Sequence, residues 1–146
     1  VVDESYQVKI VCSKFEGVFK GLKTNLLFDE NNLAASRIEA SIESNTINTG
    51  NAMRNRHAMQ GLDAKEFPLI RFESISIVKK GDGYEATGNL TIRDVTRSIQ
   101  LPFTFVRADG KATFSGSFSV KPKDYKVKKM GTPDEFTVQL QVPVQL

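Results

Sequence analysis

Few side chains in this 146-residue chain could do bond-making chemistry. It holds one histidine, His57, and one cysteine, Cys12. A single cysteine excludes an internal disulfide, and a single histidine leaves most zinc sites and histidine-base mechanisms short of a ligand or a partner. Cys12 closes the apolar alternation Val8, Ile10, Cys12, with no nearby group to lower its pKa, and is expected to be a small buried hydrophobe. Acid–base hydrolysis needs a nucleophile with a base, or paired carboxylates, converging in a pocket. Asp63, Glu66, Asp94 and Asp124 fall instead on expected loops and turns. No catalytic set stands out, no metal site is expected, and the chain is expected not to be an enzyme.

The side chains better supplied are those that bind. Arg54, Arg56 and His57 stand together; Arg presents a planar fork to a carboxylate or phosphate, and His can donate or accept. A solvated segment pairing with Asp63 or Glu66 is the alternative. Met53 and Met59 are apolar and flexible enough to gate a long chain, or simply to seat their helix. Lys121, Lys123, Lys126, Lys128 and Lys129 form a dense basic cluster suited to an anionic membrane surface or a membrane protein, or to a solvated hairpin tip. Nucleic acid is not expected, because the cluster has no interleaved aromatics beyond Tyr125 and the net charge is only +3.

These residues must be positioned by strands, since alternation of apolar and polar residues runs through nearly the whole chain. In residues 84–93, Tyr84, Ala86, Gly88, Leu90 and Ile92 take one face and polar residues the other, the period of a half-buried strand. Residues 37–43, 112–120 and 136–142 repeat the pattern. The expected strands are 6–11, 15–28 with a bend near Gly21, 35–44, 69–79 with a bulge near Ser74, 83–93, 98–107, 111–121 and 134–145. Gly81-Asp82-Gly83 and Asp109-Gly110 supply the positive φ that tight antiparallel hairpins require. One helix is expected over 51–60, capped by Asn51 and ended by Gly61, with Ala52, Met59 and Leu62 as its apolar stripe.

Nothing divides residues 1–146 into two domains, and the chain is long enough to bury its own core. No apolar run approaches the roughly 18 residues of a membrane span, and the first residues lack the pattern of a signal peptide. If the protein is exported, its signal precedes this sequence. Eight antiparallel strands with one apolar face each make a sandwich or a closed barrel. A barrel of this size is either filled or holds one small ligand. The expected inward residues mix small (Ala40, Ala86, Gly88, Ala112, Gly116) with large (Phe103, Phe105, Phe114, Phe118, Leu140, Val142), which leaves both outcomes open. In a hollow barrel, Gly116 should face empty space that a leucine could enter without unfolding the protein.

Three segments, residues 45–57 (NTINTGNAMRNRH), 67–74 (FPLIRFES) and 88–97 (GNLTIRDVTR), stand in an order and spacing that resemble the YceI-like family. Phe19-Lys20-Gly21-Leu22 and Phe28-Asp29 fit the same pattern, so the resemblance covers nearly the whole chain. It implies an all-β, eight-stranded antiparallel, lipocalin-like β-barrel with one short helical insertion. It also implies a periplasmic or secreted protein that binds, carries or sequesters a polyisoprenoid, isoprenoid quinone or fatty-acid derivative, with no established catalysis and no cofactor beyond that lipid. The contact surface is then expected from Ile42, Phe72, Leu90, Phe103, Phe105, Phe114, Gly116, Phe118 and Leu140, with Met53, Arg54 and His57 at the mouth; Arg54 and His57 occupy family motif positions. A homodimer is a further expectation. The sequence departs from the family in its short Cys12–Gly17 segment, where a longer connection is usual, and at Lys121, Pro122 and Lys126, where Asn, Arg and Gly are usual, so no headgroup contact carries over to Pro122.

Overall fold

The computed structural model describes residues 2–127 and 132–145. Eight strands, β1 (Gln7–Val11), β2 (Glu16–Leu27), β3 (Arg37–Asn48), β4 (Leu69–Lys80), β5 (Gly83–Ile92), β6 (Val95–Ala108), β7 (Lys111–Val120) and β8 (Phe136–Gln145), pair antiparallel in chain order. β8 returns to β1, with Val8 opposite Leu140, and closes the barrel. Closure gives every strand a partner on both sides. The alternation read in the sequence is the alternation of the wall: along β5, every second residue from Tyr84 to Ile92 is buried.

Two irregularities bend the wall where the sequence indicates. β2 and β3 lose register on either side of Lys20, and Gly21 sits at φ +73°, where a side chain would also strike Glu43. β4 slips against β5 between Ser74 and Ser76. Across that bulge, the Phe72 ring lies over Gly88, so that a Cβ on Gly88 would stand 2.7 Å from Phe72 Cζ. β3 runs to Asn48, four residues beyond the expected end, because Thr46 bridges the gap to β2. Its Oγ1 accepts from the Lys20 N–H and donates to a backbone carbonyl, Lys20 or Glu43.

The helix α1 (Ala52–Leu62) lies between β3 and β4, and Asn51 caps it by accepting the Arg54 N–H at 2.9 Å. It ends at Asp63, in the left-handed region at φ 48°, not at Gly61. Ala52 is exposed, so the apolar stripe is Ala58, Met59 and Leu62, which pack against the cluster of Phe19, Ile42 and Ile47. Packing against the barrel rim selects this face, because the helix covers no other core.

β6 and β7 are joined only from the Phe103–Gly116 pair to the hairpin at Ala108–Lys111; beyond it they splay apart. The 3-10 turn Pro122–Tyr125 closes that seam, burying Tyr125 and Val127 against Leu90, Ile92 and Val120. Cys12 lies just past β1, half-buried rather than fully buried, with its thiol 3.4 Å from the Phe15 carbonyl oxygen.

Candidate functional site

The hairpins sort the barrel into two ends. The turns after β2, β4 and β6 gather at one end, and the β1–β2 turn, α1, the β5–β6 turn and the Pro122–Tyr125 segment gather at the other. At the first end, Phe28 stands within 4.9–5.7 Å, ring to ring, of Tyr84, Phe103, Phe105 and Phe114. Such tilted and edge-on arrangements are those that aromatic quadrupoles favour. Outside these rings, Arg107 pairs with Glu30 at 2.8 Å, and Tyr84 donates to the other oxygen of Glu30. This end is filled.

Above the rings the barrel is hollow. A cavity of about 560 Å³ is walled by Val8, Phe19, Ala40, Ile42, Leu90 and Leu140, among others. Its floor is Leu26, Ile38, Leu101, Phe103 and Phe114, and its mouth carries Lys14, Phe15, Asn51, Met53, Arg54 and His57. Small residues make part of the space, since Ala40 and Thr24 face each other across β2 and β3 where bulkier chains would meet. A pocket of this size and apolar lining is typical of small-molecule sites.

Ile42, Phe72, Leu90, Phe103, Phe114, Gly116, Phe118, Leu140, Met53, Arg54 and His57 all line this one cavity. Phe105 does not. It follows Phe103 inward along β6 but lies past the floor, against Phe28 and Phe114. Met59 is also absent from the lining, because it faces the rim cluster, whereas Met53 stands 66% exposed at the mouth. Gly116 borders the cavity, yet the space beside its Cα is taken: a Cβ there would lie 2.9 Å from the Pro102 carbonyl oxygen. The glycine permits β6 and β7 to approach, and a leucine at this position must move backbone.

The motif around α1 divides into residues that build and residues that face the opening. Asn55 Oδ1 accepts from both the Thr49 N–H and hydroxyl, at 2.8 and 2.6 Å, and Gly50 turns the chain at φ +78°. Together with the Asn51 cap, these fix the helix on β3. Arg54, His57, Ala58, Gly61 and Leu62, at helical spacing, then face the cavity. Neither Asp63 nor Glu66 pairs with Arg54, Arg56 or His57. Asp63 faces Arg93 at 4.0 Å, and Arg93 also donates to the Lys126 carbonyl oxygen at 2.6 Å, tying the helix end to the Pro122–Tyr125 segment. Sequence reasoning missed Arg93 and the mouth residues Lys14 and Phe15. Their signal was the turn position opposite α1, which only barrel closure reveals.

Lys121, Lys123 and Lys126 are exposed on the mouth side of the barrel, and Lys128 and Lys129 lie outside the described residues. Lys126 adopts φ +60°, a left-handed conformation in which glycine would be unstrained. Among the described residues, no group of three His, Cys, Asp or Glu is placed to hold a metal ion.

Over residues 2–146 the chain matches the YceI-like domain. A UPF0312 protein of Pseudomonas aeruginosa (strain LESB58) is 30% identical over 137 residues, covering 88% of this chain and 72% of the relative. Protein YceI of Salmonella newport (strain SL254) matches over the same length, coverage and identity. Among solved structures, BcnA of Burkholderia cenocepacia superposes with a TM-score of 0.91 at 25% identity, covering 99% of this chain and 100% of that one. A polyisoprenoid binding domain from Saccharophagus degradans, implicated in plant cell wall breakdown, superposes at 0.73 with 12% identity, over 99% and 96% of the two chains, and shares the fold. This chain is thus a member of the YceI-like domain family.

Proposed function

We propose that this protein binds and carries a long-chain amphiphile, of the class of polyisoprenoids, isoprenoid quinones or fatty-acid derivatives, with its tail in the barrel. The observation that carries this reading is the apolar cavity of about 560 Å³, floored by Phe103 and Phe114 and lined at the α1 end by Met53, Arg54 and His57. Each methylene moved from water into such a lining contributes about 0.8 kcal/mol, so a tail of about fifteen carbons can outweigh the cost of ordering it. The polyisoprenoid binding described for the Saccharophagus degradans domain fits the same geometry. Action as a binding protein rather than an enzyme, in the periplasm or after secretion, is part of the proposal. So is loading from an anionic membrane surface through Lys121, Lys123 and Lys126.

Mass spectrometry of an organic extract of protein purified from its native source should find a lipid at near-stoichiometric yield. A fluorescent long-chain probe should bind the stripped protein saturably, and Ala40→Phe, which fills the lumen opposite Thr24, should weaken that binding at least tenfold while the barrel stays folded. An extract without lipid, together with no saturable probe binding, would overturn the proposal.

A further inference from the structure

The opening of the cavity carries charge of one sign. Among the described residues, the ionisable side chains that line the cavity are Lys14, Arg54, His57 and Arg71, and no Asp or Glu lines it, although the chain has 17 acidic residues. Arg71 is in the outward phase of β4, between Ile70 and Phe72, so the charges over the opening are Lys14, Arg54 and His57. Arg54 and His57 are three residues apart on α1 and therefore share a helix face. Lys14 comes from the β1–β2 turn, which lies against α1 at the mouth. Its neighbour Phe15 holds the Arg54 guanidinium over its ring, 4.5 Å from the centroid.

That cation–π contact holds the guanidinium at the rim while leaving its N–H groups available to fork onto an anion. None of the three is in an ion pair among the described residues, whereas Arg93, Arg97 and Arg107 elsewhere each stand within 4.0 Å of a carboxylate. Three donors thus converge where the apolar tunnel meets water. A tail seated on the Phe103–Phe114 floor leaves its head at that boundary.

We infer that the cavity selects amphiphiles with an acidic head, a carboxylate or phosphate monoester on a long apolar chain, over neutral alcohols of the same length. The inference rests on the proposal that the cavity binds the chain, and it adds what chooses the head. A neutral hydroxyl can take one hydrogen bond from the rim. An anion takes charge-assisted bonds from Arg54 and Lys14, and a ring N–H of His57 donates in either charge state.

The test is displacement of a fluorescent probe by three ligands of one chain length: palmitate, hexadecyl phosphate and hexadecanol. At low ionic strength, both anions should bind about tenfold more tightly than the alcohol, with the gap narrowing as salt rises. Arg54→Gln should weaken the anions far more than the alcohol and so bring the three affinities together, while Lys121→Gln with Lys123→Gln should keep the preference. A preference for only one anion would support the inference and name the head. Equal binding of all three, or a preference lost with the outer lysines and kept in Arg54→Gln, would overturn it and leave the cavity proposal standing. Failure of all three ligands to bind would overturn the inference, and the cavity proposal would fall with it only if the probe itself showed no saturable binding and the native extract held no lipid.

Discussion

The two ends of this barrel are built from the same strands and the same alternation, yet one is solid and the other hollow. At the closed end the inward positions carry rings, Phe28, Tyr84, Phe103, Phe105 and Phe114, and five aromatics from four segments meet in edge-on, tilted and stacked pairs. At the open end the corresponding positions carry Ala40, Ile42, Leu90 and Leu140, which reach toward the axis without meeting across it. The lesson is that a wall of this circumference is bridged only by large side chains. Stability is therefore concentrated where five rings meet, and binding where single rings such as Phe19, Phe72 and Phe118 line the wall around open space. The ends also differ in polarity: Glu30 neutralises Arg107 beyond the rings, while Lys14, Arg54 and His57 at the mouth form no ion pair among the described residues.

The sharpest way to break this contrast is Phe28→Ala. Phe28 touches four other rings, so its loss should cost about 3–5 kcal/mol in denaturant unfolding, whereas a truncation at the mouth should cost far less. If Phe28→Ala were as mild as a mouth variant, the division of labour between the ends would be wrong.

Gly116→Leu comes next, because it lies at the border between the two halves. The close approach of Pro102 should make it destabilising by about 1–3 kcal/mol in ligand-free protein. An unchanged melting temperature would mean that the cavity reaches further between β6 and β7 than the backbone approach allows.

The closed end should also carry the alkaline sensitivity. Burial pushes the Tyr84 hydroxyl above its usual range, and the Glu30 carboxylate beside it adds to the effect. The neutral phenol is thus favoured in the folded state. The stabilisation is complete below the unfolded value near 10 and is lost as pH rises through the higher folded value. Tyr84→Phe should flatten the fall in stability above about pH 10, and an unaltered alkaline arm would assign the fall elsewhere, for instance to Tyr125, whose hydroxyl burial also pushes up.

At the mouth the expected changes are small. Lys126→Gly relieves a left-handed residue and should stabilise the protein by up to about 1 kcal/mol, measured by thermal melting. A loss of stability there would show that the Lys126 side chain has a role its strained backbone conceals. Met53→Ala, at an exposed position, should change stability by less than about 0.5 kcal/mol while altering probe affinity. A large melting shift would make Met53 a packing residue rather than part of the opening.

Much of this architecture is legible in the chain itself. Period-two alternation determines which residues face inward, since successive side chains of a strand must point to opposite sides. Gly81, Asp109 and Gly110 determine the hairpins, the phase change near Ser74 determines the bulge, and Asn51 determines where the helix begins. What alternation does not contain is distance across the lumen. Whether the barrel is filled, that Phe105 lies beneath the floor while Phe103 forms it, and that Gly116 serves a close backbone approach all depend on how far apart opposite walls stand. That spacing is set by strand number, stagger and the β2–β3 and β4–β5 bulges acting together. The meeting of Arg54 with Phe15 has the same origin: the residues are 39 positions apart in the chain, and only closure of the barrel lays the β1–β2 turn against α1.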